Sequence, residues 1–509
     1  MKRSLLVTIS TILLIIIIAS LNVPKISAVT TTWTGSGGDG KWENPHNWNT
    51  GSIPGPSSNV LISNGATVTI NSTQTINALS VNGTGTQLSC AWSCSLTISG
   101  GSNAGSITST GTIANSASFT NLGTFTNYNG ALLRNTGTIT NSGTLLIYGG
   151  AVVGNSGGTI TNMAQIVNAG TINNNSGGNI NNNQGSTITN SGSIVNYNDI
   201  ANSGTITSNS SGLITNTGTS GTSGTITNTG TLTSDGIILN YKTGILTNSA
   251  SLTSTRVITN HGTINDNSGG TITTSGAFTN DGTVNVNSQA TITNSGTITN
   301  YPGGTIPNSG LITNYRTISN FDTITNSGII NNESNGTINN SGGTLDDSGS
   351  ITSSGGTIFN SSNGVITVEG TVANTGGTII NHSGTITASS HASLTNNGTL
   401  TNYDTITNSG SLTSGGVITN YNSATITNSG GTITTSQVIT NDGTIDNTSG
   451  TISNSGTITN NGPIKNSGTI TNSGTITNEC GGTLSGTGIS GTAAKNLCAV
   501  PSAGSQSPV

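Results

Sequence analysis

Charge is nearly missing from this chain: Asp, Glu, Lys and Arg make up 5% of its 509 residues. Ten basic residues stand against fifteen acidic ones, and no basic stripe forms. Nucleic acid is therefore not an expected partner, because phosphate binding needs clustered Lys and Arg. Aromatic residues, at 3%, are too few for several ordinary globular cores. Proline is also rare, with nine residues. Scarce charge and scarce proline together argue against disorder, which favours both. One long apolar run exists, Leu5 to Leu21, and no second one follows it. The body of the chain is thus expected to be soluble outside the membrane.

That run follows Met1-Lys2-Arg3 and ends near Ser27-Ala28, the layout of a secretory signal. An uncleaved anchor is the competing reading, since the run approaches the length of a membrane span. Either way the remainder is expected to be extracellular or at the cell surface, touching a membrane only through residues 1–28 if they are retained. The four cysteines form two local sets, Cys90 with Cys94 and Cys480 with Cys498. In an exported chain two disulfides are expected. Neither pair has further ligands nearby for zinc, so no metal or cofactor is expected.

What the chain has in abundance is Gly, Asn, Ser, Thr and Ile in a fixed order. The stretch Asn466-Ser-Gly-Thr-Ile-Thr-Asn-Ser-Gly-Thr-Ile-Thr-Asn478 repeats one six-residue phrase, and variants fill the chain from Ile107 to Leu484. Aliphatic centres of the Thr-Ile-Thr triplets step by six to eight residues, and three steps sum to about 20. Ile258, Phe278, Ile298, Ile318, Ile338 and Ile358 therefore mark successive turns, continued by Ile379, Leu400, Ile418, Ile439, Ile458 and Ile476. Three short strands per turn predict an all-β, three-sided parallel β-helix of about nineteen coils between Ile107 and Leu484, roughly 90 Å long. Strand alternation places Ile inside and Thr outside. Asn, two residues after Ile, shares its inward side, and columns such as Asn260, Asn280, Asn300 and Asn320 are expected to hydrogen-bond along the axis. Gly262, Gly282 and Gly296 are expected to permit the unusual backbone angles and the close approach that a tight corner needs.

Four segments follow: 1–28 as signal peptide or anchor, 29–100 as an N-terminal cap with first strands, 101–485 as the repeat array, and 486–509 as C-terminal cap and disordered tail. All four tryptophans, Trp33, Trp42, Trp48 and Trp92, fall in the second segment. A cap over an open solenoid end is the first reading of them, and an aromatic glycan-binding platform is the alternative. Strands at Asn59–Ile62 and Ala66–Ile70, separated by Asn64-Gly65, read as a hairpin.

The run Ile-x-Asn-x-Gly-x-Ile, with coils near 20 residues, resembles the haemagglutinin-type repeats of filamentous-haemagglutinin and autotransporter-like adhesins. The Trp-rich opening and the strand that starts at Pro54 resemble the amino-terminal part of secreted β-helix surface proteins. The resemblance spans roughly residues 30–485 and implies a right-handed β-helix acting in adhesion or as a surface stalk. Its implied partners are surface glycans or neighbouring envelope proteins. The chain departs from that group in lacking a carboxy-terminal translocator barrel and a secretion-domain signature.

Two other functions place specific demands on the residues. A polysaccharide-acting β-helix enzyme needs grouped acid and base side chains. Asp346-Asp347 beside Glu333 and Asp322, and Asp442 with Asp446, read as solvated acidic patches without a base, with calcium bridging as a minor alternative. His382 and His391 could approach around a coil, with no carboxylate or Cys set beside them. No catalytic residue is assigned, and the chain is expected to be non-enzymatic. Ice binding through outward Thr-x-Thr arrays is the runner-up function, although each face between Ile258 and Ile358 is interrupted, for example at Leu311, Pro307 and Ala277. Sequons at Asn71, Asn82, Asn335, Asn381 and Asn397 are candidate glycan acceptors.

Overall fold

Residues 29–219 and 221–498 are described by a computed structural model. The expected signal or anchor at 1–28 and the tail from Pro501 lie outside them. Apart from one 3-10 turn at Pro45–Asn47, the regular elements are short strands, mostly of four residues. Nearly every strand pairs in parallel with the third strand before and after it. The molecule is a parallel β-solenoid with three ladders. The first ladder contains Val257–Asn260, the second Thr263–Asp266 and the third Thr271–Thr274, in chain order within a coil.

The third ladder holds 22 strands, from Thr67–Ile70 to Ile489–Gly491. At about 4.8 Å per step, that rod is roughly 100 Å long. The twelve markers chosen from the sequence all fall on the first ladder, and successive ones lie directly opposite each other. Ile258 faces Phe278, Phe278 faces Ile298, and the register holds through Ile458 and Ile476. Near the start, Ser95–Asn103 and Thr112–Asn121 each run through both the first and second ladders, bending at an irregularity between Ile98 and Gly100.

The four-residue strand reads out, in, out, in. In Thr297–Asn300 the two Thr are half-buried while Ile298 and Asn300 are buried. One aliphatic per strand gives a single continuous apolar column from Trp42 to Ile476. Neighbouring coils cover each one's aliphatics and strand edges, so stability accumulates along the array rather than within a coil.

Two expectations need correction. Ser58–Ile62 and Thr67–Ile70 do not form a hairpin. The first pairs in parallel with Ala78–Val81 and the second with Gln87–Cys90. Asn64 and Gly65 do adopt positive φ, 61° and 72°, but the turn carries the chain around a corner onto the next ladder. The second correction concerns Gly262, Gly282 and Gly296, none of which has a positive φ. Their role is close approach: a Cβ at Gly282 would sit 2.1 Å from the Gly262 carbonyl oxygen, and one at Gly296 2.0 Å from that of Gly276.

Parallel pairing begins inside the Trp-rich segment, where Val29–Thr32 lies against Ser58–Leu61. Trp42 and Trp48 are buried and pack edge to face at 4.7 Å, with half-buried Trp33 against Trp48 at 4.9 Å. The Trp48 indole N–H donates to the Trp42 carbonyl oxygen at 2.8 Å. Cys90 is bonded to Cys94, and Cys480 to Cys498.

Candidate functional site

The interior is organised by amide columns. Along the first ladder, twenty asparagines from Asn115 to Asn496 form one unbroken chain. Each Nδ2 donates to the Oδ1 of the asparagine one coil further on, at 2.7–2.9 Å. Most also donate to backbone carbonyls at the corner, as Asn260 does to Gly262 and Thr283. A buried amide is costly unless its donors and acceptors are satisfied, and this arrangement satisfies them through repetition. Asn381 lies in this chain with none of its surface exposed, so that sequon cannot carry a glycan. Asn71, Asn82, Asn335 and Asn397 are exposed.

The second ladder's column is interrupted. It runs from Asn103 to Asn248 and passes to Asp266, whose Oδ1 accepts from Asn248 at 2.7 Å. The next residue in line is Val286. After Asn308 and Asn326 it reaches Asp347, which accepts from Asn326 at 2.6 Å and is followed by Val368. Both breaks against valine are thus preceded by aspartate. The second oxygens of Asp266 and Asp347 have no hydrogen-bond partner.

This overturns the reading of Asp346-Asp347 as an outward acidic pair. Asp347 is the fourth residue of its strand and faces inward; Asp346 alone faces out, beside Thr325 and Thr367. Asp322 lies on a corner and accepts from the Gly303 N–H. Glu333 follows the third ladder, so these carboxylates are not assembled at one place. Asp446 lies opposite Lys465, so that patch does have a basic neighbour. His382 and His391 sit on different corners of one coil, and His382 packs against Phe359 and Tyr403 instead. Among the described residues, no group of three or more His, Cys, Asp or Glu is placed to hold a metal ion.

Burial pushes the Asp266 carboxyl up to about 7, against the lowering effect of the Asn248 amide. It pushes Asp347 up to about 6, with the Asp346 charge adding to the rise. Both folded-state values lie above that of an unfolded aspartate. Their stabilisation is therefore complete below about pH 4 and is lost as pH rises through 6 to 7. Asp266→Asn with Asp347→Asn should remove this dependence. The double variant is expected to match the parent at pH 4 and to exceed it at pH 8. The gain is on the order of 4 kcal/mol for the first site and 3 kcal/mol for the second, to be read from denaturant titrations. Asn127, followed in its column by Ile147, shows that an amide is accommodated before an aliphatic by donating to backbone carbonyls.

Of the four tryptophans, Trp42 and Trp48 cannot stack on a sugar, because their faces are packed into the core. Burial overturns the platform reading for these two. Trp92 is 84% exposed.

Two surface features stand out instead. The first is the corner after the first ladder. Between Tyr197 and Tyr421, the residue after each inward position is Tyr five times, His twice and Phe once, in twelve coils. The same twelve positions after the second ladder, Ser203 to Ser429, hold no ring. The sequence signal was the recurring Asn-Tyr step at Asn240-Tyr241, Asn300-Tyr301, Asn402-Tyr403 and Asn420-Tyr421. The second feature is on the third ladder. From Thr187 and Thr189 to Thr291 and Thr293, six consecutive coils carry Thr at both outward positions, with Ser251 the single exception. Leu311 and Ile329 then end the array.

These columns and faces define a parallel β-solenoid repeat protein. No protein-family model matches the chain, and no curated protein is significantly similar to it.

Proposed function

We propose that this chain is an exported, non-enzymatic solenoid acting as a cell-surface adhesin or structural stalk. The observation that carries the reading is a rod roughly 100 Å long whose outward positions are mainly Thr, Ser and Asn, with dispersed carboxylates. A long uniform rod suits display and reach. The two disulfides and the resemblance to haemagglutinin-type repeats support an extracellular setting. Antibody labelling and protease shaving of intact producing cells test it. Surface accessibility is expected, and recovery with the cytosol would overturn it. Cleavage of a polysaccharide by the purified protein, abolished by Asp346→Asn, would overturn the non-enzymatic part.

A second reading rests on the six-coil threonine plane. Hydroxyl and methyl groups repeated at strand spacing on a flat sheet present a regular lattice to water. As an ice-binding plane it would produce thermal hysteresis and faceted crystals in dilute protein, both abolished by Thr207→Tyr with Thr233→Tyr. Plain disc-shaped crystals from the parent protein would remove it.

A further inference from the structure

The aromatic corner has no structural necessity behind it. Corners after the second ladder carry Ser at most of the matching positions and make the same turn. Yet the edge from Tyr241 to Tyr421 gathers exposed rings from a chain that is 3% aromatic. Tyr301 stacks on Phe321 at 6.2 Å, and Tyr403 on Tyr421 at 4.3 Å. The stack is broken twice. Asp281 interrupts it before Tyr301, and Ser341 and Ser361 interrupt it after Phe321. At each break a ring face has no aromatic neighbour along the column. At the first break Asp281 contacts His261 at 2.6 Å, and both side chains are about 40% exposed.

We propose that this edge is a binding track for a neutral polysaccharide chain. Three properties select that partner. The edge is one side chain wide and about 43 Å long over nine coil steps, which is the shape of a linear polymer. A strip one side chain wide is also narrower than the broad patch, about 800 Å² per partner, that a standard protein interface buries. Charge complementarity disfavours a polyanion, since Lys242 is the cation next to the column while Asp281, and Asp442 beyond it, carry the opposite sign. A pyranose ring combines an apolar face of C–H groups with a rim of hydroxyls. Tyrosine and histidine match it with an apolar face and a polar tip. In this geometry sugar rings seat on the open faces of Tyr301 and Phe321, and hydroxyls bond to Asp281, His261 and Ser341.

The proposal deepens the adhesin reading and rests on it for its biological setting. Its test uses purified full-length protein away from any cell, so the two fail separately. Affinity gel electrophoresis and sedimentation with β-glucan, mannan and chitin are the measurements. Binding to at least one is expected, weakened at least tenfold by Tyr301→Ser with Phe321→Ser. Serine is the residue the ring-free corner uses, so the unfolding midpoint should stay near that of the parent. A Tyr403→Ser, Tyr421→Ser variant, whose rings lie beyond the second break, should weaken binding to long chains more than to short oligosaccharides. The proposal is overturned if none of the three polymers binds, or if the Tyr301 and Phe321 variant binds like the parent. It is equally overturned if binding is lost with Trp92→Ala and kept without the edge, or if only acidic polymers are retained.

Discussion

Asn280→Asp should destabilise the solenoid by about 4 kcal/mol at neutral pH, and most of the loss should return in acid. Asn280 accepts from Asn260 and donates to Asn300 Oδ1, Gly282 O and Thr305 O. An ionised aspartate keeps the acceptor and loses both donors, leaving a buried oxygen against three acceptor oxygens. Asp266 and Asp347 avoid one of these three oxygens, because valine stands next in their column. The introduced carboxyl should therefore titrate upward, and at about 1.4 kcal/mol per pH unit its penalty should begin to shrink as pH falls below about 7 and be mostly gone near pH 4, as the protonated oxygen recovers one donor. A urea series of parent and variant at pH 4 and pH 8 measures both parts. Equal stability at pH 8 would mean that the amide column contributes nothing beyond filling space.

Gly282→Ala should cost at least 3 kcal/mol, more than Gly269→Ala, although only Gly269 has a positive φ, +81°. An added methyl at 282 meets the backbone of the coil below: oxygen of Gly262 at 2.1 Å and the carbonyl carbon of His261 at 2.7 Å. Backbone in a paired ladder has little freedom to retreat, so the coils must part, stretching the Asn260–Asn280 bond. A methyl at 269 meets nothing within 4 Å and adds only left-handed strain, roughly 1 kcal/mol. Thermal midpoints of the two variants decide the order. Amide hydrogen exchange should show the 282 variant opening around its own coil first, as repeat arrays lose stability locally.

Most of the fold was legible because each strand repeats one rule. Ile258 and Phe278 could be set opposite one another from spacing alone, and strand alternation turned Asn260 inward beside Ile258. The same alternation applied to Leu345 puts Asp347 inside. Against that stands the preference of carboxylates for water, and the valine one coil further on that accommodates a buried carboxyl is visible only in the stacked coils. Phase explains the aromatic edge as well. The period is carried by strand centres, whereas rings one step past the strand, such as Tyr301 and Phe321, recur in only some coils. Four of the six coils of the threonine plane precede Ile258, so the faces between Ile258 and Ile358 hold only its end. The glycines failed differently: sequence marks a corner that excludes a side chain, and only the packed coils show that a neighbour's carbonyl excludes it.

The amide chain of the first ladder has direction as well as length. Every link points the same way, so the Oδ1 of Asn115 is an acceptor without a donor at one end. Any interior asparagine is interchangeable with the next. Removing residues 442–460 would bring Asn441 over Asn478, Asn428 over Asn466 and Thr435 over Asn472, each an existing kind of contact. A gene that loses or duplicates one such unit changes the reach of the rod by about 4.8 Å and leaves both ends as they were. Length is thus open to recombination between repeats, while the ends and the ringed edge stay under separate constraint.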